Sequence, residues 1–455
     1  MTLKSINPFD GKTIKTYKEH TLKESNKKIE QTHEAWLKWK NTSFKERASL
    51  MNNLVKVLTS KKEELAKLMT EEMGKPYKAG ITEAEKCALV CEYYAENAAA
   101  FLKDQEVKTE ARKSFVAFQP IGVVLAIMPW NFPFWQVFRF LAPGLMAGNC
   151  GILKHASNVS GCALAIEDMV KEAGFPYHVF QTLLVSGKNV GPIIENPFIK
   201  AVTLTGSTAA GKMVAEKAGS VLKKCVLELG GSDPYIILED ADLDKAAEAC
   251  VNSRMINNGQ SCIAAKRFIV VKSVEKEFTQ LFKEKMMAKV MGDPMDNSTD
   301  LGPQARTDLR DELHEQVKES MKKGAKCILG GEIPEGKGAF YPATILTQVN
   351  KGMPAYDDEL FGPVASIISA KDEKDAIRIA NDSVFGLGSA VFTQDLQKGE
   401  RIAKEELQAG SAFVNDFVKS DPRLPFGGIN QSGFGRELGT FGIHEFVNIK
   451  TVYIK

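Results

Sequence analysis

Ile121-Gly122-Val123-Val124-Leu125-Ala126-Ile127-Met128-Pro129-Trp130-Asn131 is the stretch whose reading decides the fold. Val123 to Ile127 is an unbroken apolar run of strand length, as expected for a strand covered on both faces. Pro129 ends it, and a polar residue, Asn131, follows at its carboxyl end. The pattern recurs downstream. Further strands are predicted at Cys150 to Leu153, Phe180 to Val185, Ala201 to Leu204 and Cys225 to Leu229. Helical patterns separate them, among them Ser160 to Glu172 and Ala209 to Ala218. Such alternation implies parallel βαβ units with helices on both faces of the sheet. Ligands of these sheets lie at the carboxyl ends of the strands. Trp130-Asn131, Lys154 to Ser157, Gly206-Ser207 and Glu228 all fall at or just after such an end.

Upstream, the first hundred residues are mainly helical in pattern. Leu50, Leu54, Val57, Leu58, Leu65 and Leu68 give Ser43 to Met73 one apolar stripe, and Gly74-Lys75-Pro76 stops it. A second helix is expected over Ile81 to Leu102. Ser114 to Phe118 is expected as an antiparallel strand outside the main fold. Downstream, a second α/β block runs from Pro234 to about Pro425, with strands near Tyr235 to Leu238, Phe268 to Val271 and Ala412 to Val414. Val447 to Ile454 is a last strand, placed to form a projecting hairpin sheet with Ser114 to Phe118. Such an edge needs covering, most simply by another subunit. A homodimer or homotetramer is therefore expected.

Composition narrows the function. The 59 Lys and Arg nearly cancel the 57 Asp and Glu, which gives no case for nucleic acid or an acidic surface as partner. Ile121 to Leu153 is apolar, but Pro129, Asn131, Pro133, Arg139 and Pro143 interrupt the ~20-residue run that a membrane helix needs. It is expected as strand, loop, helix, strand. The polar N-terminus lacks an export signal. Eight cysteines without paired spacing suggest free thiols in a reducing cytoplasm. The six histidines are scattered and no Cys-x-x-Cys occurs, so no metal is expected.

Among the cysteines, Cys262 stands apart. It follows Asn257-Asn258-Gly259-Gln260-Ser261, where Gly259 permits a sharp turn. A thiol on such a turn is open to substrate and ionises more readily than a buried one. The plainer alternative is a cysteine packed at a helix end. Glu228, between Leu227 and Leu229, is either a solvent-facing strand terminus or a buried carboxyl whose raised pKa suits a general base. Gly206-Ser207-Thr208-Ala209-Ala210-Gly211-Lys212 matches seven places of an NTPase phosphate loop. Its eighth place is Met213 instead of the Ser or Thr that holds magnesium. What remains is a strand-to-helix turn suited to a phosphate.

Taken together, the chain resembles the aldehyde dehydrogenase superfamily. The resemblance rests on Pro129-Trp130-Asn131-Phe132-Pro133, Lys154-His155-Ala156-Ser157, Thr205-Gly206-Ser207, Glu228-Leu229-Gly230-Gly231, Gly259-Gln260-Ser261-Cys262, Glu359-Leu360-Phe361-Gly362-Pro363 and Pro425-Phe426-Gly427-Gly428, in that family's order over nearly the whole chain. It implies a Rossmann-like cofactor domain (1–111 and 123–228), an α/β catalytic domain (229–425), and a small antiparallel oligomerisation element with the C-terminal tail (112–122 and 426–455). It implies that Cys262 attacks an aldehyde and that Asn131 and the Cys262 N–H hold the oxyanion. Hydride would then pass to a nicotinamide, and Glu228 would activate water against the thioester. The cofactor contacts implied are Trp130, Lys154, His155, Ala156, Ser157, Gly206, Ser207, Leu229, Glu359 and Phe361.

The resemblance also bears on selectivity. Ser157 stands where NAD-using members carry a Glu that repels a 2′-phosphate, so NADP is expected, with NAD as the alternative; a bare helix-capping role for Ser157 is the competing reading. Asn415 to Pro425 looks like the succinate-semialdehyde branch. There Arg139 would face the substrate's far carboxylate, with Ser420 assisting; an Arg139 paired to a structural acid is the competing reading. A second arginine of that branch is replaced by Ile256, and whether Arg254 substitutes for it is open. Succinate semialdehyde is the expected substrate, with glutarate semialdehyde or aliphatic aldehydes as alternatives.

Overall fold

The strand Val123–Met128 is buried at every position and lies inside a six-stranded sheet. The computed structural model describes residues 2–455. In spatial order this sheet runs Gly433–Phe434, Lys224–Glu228, Ile199–Thr205, Val123–Met128, Cys150–His155, Phe180–Thr182. All neighbours are parallel except the first pair. A single apolar core joins the sheet to the N-terminal helices. The fold is thus the expected α/β arrangement, with strand ends within a few residues of the sequence reading.

A second, seven-stranded sheet runs Lys326–Leu329, Thr344–Thr347, Val364–Ala370, Arg267–Val271, Pro234–Ile237, Gly388–Phe392, Ser411–Val414. It is parallel apart from its first strand. Separate apolar cores cover its faces. Val447–Ile454 pairs antiparallel with Lys113–Pro120, as expected, and Gln105–Glu106 adds a third strand. Val447–Ile454 is an edge of this sheet and leaves Ile449, Tyr453 and Ile454 exposed.

Three features depart from the sequence reading. Thr2–Ile6 and Thr13–Lys18 form a hairpin ahead of the helices. The stripe from Ser43 to Met73 is two helices, Phe44–Ser60 and Lys62–Met73, broken at Lys61. Gly433-Phe434 leaves the C-terminal segment to pair with Leu227-Glu228. At Gly74 the expected stop is a left-handed cap, φ 75°. The helix that follows, Tyr77–Phe101, buries Ala84, Cys87, Cys91, Tyr94 and Ala98 and carries Glu83 and Lys86 toward the Trp135–Met146 helix.

Candidate active site

Asn257, Asn258 and Gly259 are all left-handed (φ 54°, 59° and 75°), so the chain reverses sharply before Cys262. A Cβ on Gly259 would overlap the Gly362 carbonyl, which fixes this turn against the loop of Glu359 and Phe361. Three further side chains hold the turn. Asn258 Nδ2 donates to the carbonyls of Gly74 and Pro303, both at 3.0 Å. Asn257 Nδ2 donates to the Asn131 carbonyl at 2.7 Å. Lys266 Nζ donates to the carbonyls of Ser261, Cys262 and Ala264 at 2.8–3.1 Å and lies 3.3 Å from Glu359.

Cys262 lies where two clefts meet. The first, about 280 Å³, is bounded by Trp130, Asn131, Gly206, Ser207, Leu229, Glu359 and Phe361. The second, about 250 Å³, is bounded by Lys86, Trp135, Arg139, Ile256, Ser420 and Phe426. Six of the ten expected cofactor residues therefore share one cleft with the cysteine, and both expected substrate residues share the other. At the floor of the first cleft Ser207 caps the helix Thr208–Ser220, accepting from Ala210 N at 3.3 Å. Lys212, the would-be NTPase lysine, reaches Gln431 at 3.5 Å instead.

The turn after Cys150–His155 holds the other four. Lys154 is buried, and no carboxylate pairs with it among the described residues; burial lowers its pKa. Ala156 and Ser157 are half-buried beside it, and the Ser157 side chain caps neither following helix. The His155 ring is turned inward from this turn. It is buried, Nε2 meets the Pro133 carbonyl at 2.8 Å, and Nδ1 accepts from Ala156 N at 2.9 Å. Burial pushes its pKa down to about 4, so the neutral ring ties this turn to the loop that carries Asn131.

Asn131 is buried on the wall of the first cleft. Its Nδ2 donates to the Gln260 carbonyl at 3.1 Å, two residues before the cysteine. Cys262 is half-exposed, yet desolvation pushes its thiol up to about 12, against the opposing pull of Arg139 and Lys266. The resting thiol is thus held protonated by its apolar surroundings, while its partial exposure leaves it reachable from both clefts. Glu228 is buried and not a solvent-facing strand end, and neither of its oxygens has a hydrogen bond among the described residues. Burial and the neighbouring Glu437 both hold its pKa well above the ordinary carboxyl value.

Arg139 is buried on the Trp135–Met146 helix, with Nε 2.6 Å from Glu437 and its guanidinium 4.6 Å from the Phe426 ring centre. It has the structural acid of the competing reading and also borders the second cleft. Arg254 does not replace the arginine lost at Ile256. It is fully buried and donates to the Gly259 and Leu360 carbonyls. Three residues escaped the sequence reading: Lys86, Lys266 and Glu437. Each is joined to the site by a partner distant in sequence, so no local signal marked it.

The model of the Aldehyde dehydrogenase family matches residues 1–452. A Synechocystis sp. protein described as a probable succinate-semialdehyde dehydrogenase (NADP(+)) is 48% identical over 454 residues, covering 100% of both chains. The succinate-semialdehyde dehydrogenase (NADP(+)) of Mycobacterium leprae is 46% identical over 457 residues, again covering 100% of both. The crystal structure of succinic semialdehyde dehydrogenase from Streptococcus pyogenes, in complex with NADP(+), superposes with TM-score 0.97 at 35% identity over 99% of each chain.

Proposed function

The chain is a member of the aldehyde dehydrogenase family, and we propose that it oxidises succinate semialdehyde to succinate with NADP(+) as acceptor. The observation that carries this reading is the position of Cys262, between a cleft edged by a helix N-terminus and a cleft lined by cations. The named relatives support the substrate and the cofactor.

The residues present fit a phosphorylated dinucleotide. Among the described residues Lys154 is a buried cation without an acid partner, residue 157 is a serine and not a carboxylate, and Gly206-Ser207 opens a helix N-terminus onto the cleft. Trp130, Lys154, Ser157, Gly206, Ser207, Glu359 and Phe361 would hold the cofactor, with Ala156 and Leu229 shaping its walls. When bound, its nicotinamide supplies the oxidant for the thiohemiacetal carbon.

The chain's own groups perform the remaining steps. Cys262 loses its thiol proton to water in the cleft and adds as thiolate to the aldehyde carbon, the C=O π pair moving onto oxygen. The Asn131 amide and the Cys262 N–H bind the developing oxyanion. Lys266 holds the carbonyls on either side of the nucleophile, so the donors are placed before substrate arrives. Glu228, its proton affinity raised by burial and by Glu437, accepts a proton from the water that splits the thioester and frees the acid.

The two large sheets support a division at residues 111, 228 and 425, with Gly433–Phe434 of the C-terminal segment crossing over to join the first sheet. A homodimer or homotetramer formed through the Val447–Ile454 edge would cover Ile449, Tyr453 and Ile454. Eight free cysteines suit a reducing cytoplasm. The apolar part of the second cleft (Phe132, Trp135, Ile263, Val418) suits aliphatic aldehydes as secondary substrates. The test is the initial rate of reduced-cofactor formation with succinate semialdehyde, glutarate semialdehyde and butanal, each with NADP(+) and NAD(+). Succinate semialdehyde with NADP(+) should lead by about tenfold or more. Equal rates with butanal would refute the substrate, and an NAD(+) lead would refute the cofactor.

A further inference from the structure

Gly74-Lys75-Pro76 joins the Lys62–Met73 and Tyr77–Phe101 helices, and it reaches both the nucleophile turn and the Asn131 loop. On the first side the Gly74 carbonyl accepts from Asn258 Nδ2 at 3.0 Å, in the left-handed turn that precedes Cys262. Gly74 is itself left-handed, and a Cβ there would come within 2.7 Å of the Pro303 carbonyl oxygen, the other acceptor of the same amide. On the second side Lys75 Nζ lies 3.9 Å from the centre of the Phe132 ring, the residue after Asn131. That ammonium pairs with Glu83 Oε2 at 2.6 Å, and both side chains are buried. Glu83 Oε1 in turn accepts from the Phe134 and Trp135 N–H groups, each at 2.9 Å. These are the opening donors of the Trp135–Met146 helix, whose N-cap Phe134 has no side chain able to satisfy them. Glu83 is therefore the cap of the helix that the Asn131 loop runs into.

We propose that Lys75 and Glu83 are positioning residues for the oxyanion site: with the Gly74 carbonyl they set the Asn131 amide against the Cys262 N–H. The proposal rests on the oxyanion reading of Asn131 given above. A fully buried ion pair adds little to stability, because desolvation of both charges offsets their attraction. What this pair supplies is geometry. Glu83 is fixed at one oxygen by two N–H groups of a helix and at the other by an ammonium. The ammonium belongs to the residue next to Gly74, which is bonded to the nucleophile turn. Asn257 and Asn131 also link the two loops directly, at 2.7 and 3.1 Å, but only at Asn131 itself. Lys75 and Glu83 fix the loop beyond it, at Phe132 and at the entry to the helix. A donor displaced by about 1 Å from its productive place can cost on the order of 10²-fold in rate.

The experiment is a double-mutant cycle on kcat, with succinate semialdehyde and with butanal at saturating NADP(+). It uses Lys75→Met and Asn131→Ala, singly and together. Lys75→Met should lower kcat by about tenfold or more on both aldehydes, with each KM and the Kd for NADP(+) within about twofold of wild type. In Asn131→Ala enzyme no amide is left to position, so the same change should cost less than about threefold. The paired change Lys75→Met with Glu83→Gln keeps both shapes and leaves no buried charge unpaired. It carries the same cycle if thermal unfolding shows that Lys75→Met alone does not fold. Equal factors in the two backgrounds would overturn the proposal, because the pair would then act on the fold and not through Asn131. So would a kcat within about threefold of wild type in the variant without the pair. Either result, with Asn131→Ala slow, leaves the oxyanion reading standing. An Asn131→Ala enzyme as fast as wild type would overturn that reading and the positioning role with it.

Discussion

Replacing Asn131 with alanine tests the oxyanion site, and the structure sets the size of the effect. The side chain is buried in the first cleft and makes one resting hydrogen bond, from Nδ2 to the Gln260 carbonyl at 3.1 Å. That carbonyl also accepts from Asn257 Nδ2 at 3.1 Å, and the Asn131 carbonyl is held by the same Asn257 amide at 2.7 Å. The loop and the nucleophile turn should therefore keep their positions, with about 1 kcal/mol of stability lost. Catalysis loses one of two oxyanion donors in a site shielded from water. Such a loss costs about 2.7–4 kcal/mol, or ~10²–10³ in kcat. The assay is steady-state reduced-cofactor formation, paired with thermal unfolding. Because the oxyanion forms on every aldehyde, succinate semialdehyde and butanal should lose rate equally. Asn131→Asp, equal in size but without the donor, should be at least as slow. Activity within about fivefold of wild type, or a loss confined to the acid aldehyde, would refute the oxyanion role.

Three more predictions address the electrostatics. Glu437→Gln removes a negative charge that helps hold the Glu228 pKa up and leaves Arg139 free to act on it. Glu228 should then stay deprotonated to lower pH, and the acid limb of the kcat–pH profile should move down; an unmoved limb or an upward shift contradicts this. Ser157→Glu puts a carboxylate at the turn beside Lys154. It should cut the NADP(+)/NAD(+) ratio of kcat/KM by about tenfold or more, and an unchanged ratio would remove Ser157 from cofactor choice. Because the Cys262 thiol is pushed up to about 12, its alkylation by iodoacetamide in free enzyme should rise steadily from pH 7 to about 10; a plateau below pH 9 would contradict it.

Much of this was legible in the residues. The run from Val123 to Ile127 announced a doubly covered strand, and the four strand-end segments it anchored do converge at one end of the sheet. Asn257-Asn258-Gly259 announced a turn, because Asn and Gly tolerate the left-handed conformation that all three adopt. The N-terminal hairpin was not legible: its second strand exposes every residue but Tyr17, so no buried face marks it. The break at Lys61 preserves the apolar stripe on both sides and is invisible to periodicity. The direction of the His155 ring was not legible for a different reason: it depends on the Pro133 carbonyl, more than twenty residues away in sequence. Lys86 shows the same limit more sharply. A lysine on an amphipathic helix ordinarily faces solvent, and only Ser420, from the far end of the chain, reveals that it faces the cleft.

The central claim is that oxidation proceeds through an acyl thioester on Cys262 that Glu228 helps water to cleave. Intact-mass measurement of acid-quenched Glu228→Gln enzyme, mixed with succinate semialdehyde and NADP(+) and followed by peptide mapping, tests it most directly. The account predicts a succinyl adduct on the Cys262 peptide that outlives the wild-type adduct and is absent from Cys262→Ser. Reduced cofactor formed without an adduct, or an adduct on another of the eight cysteines, would contradict it.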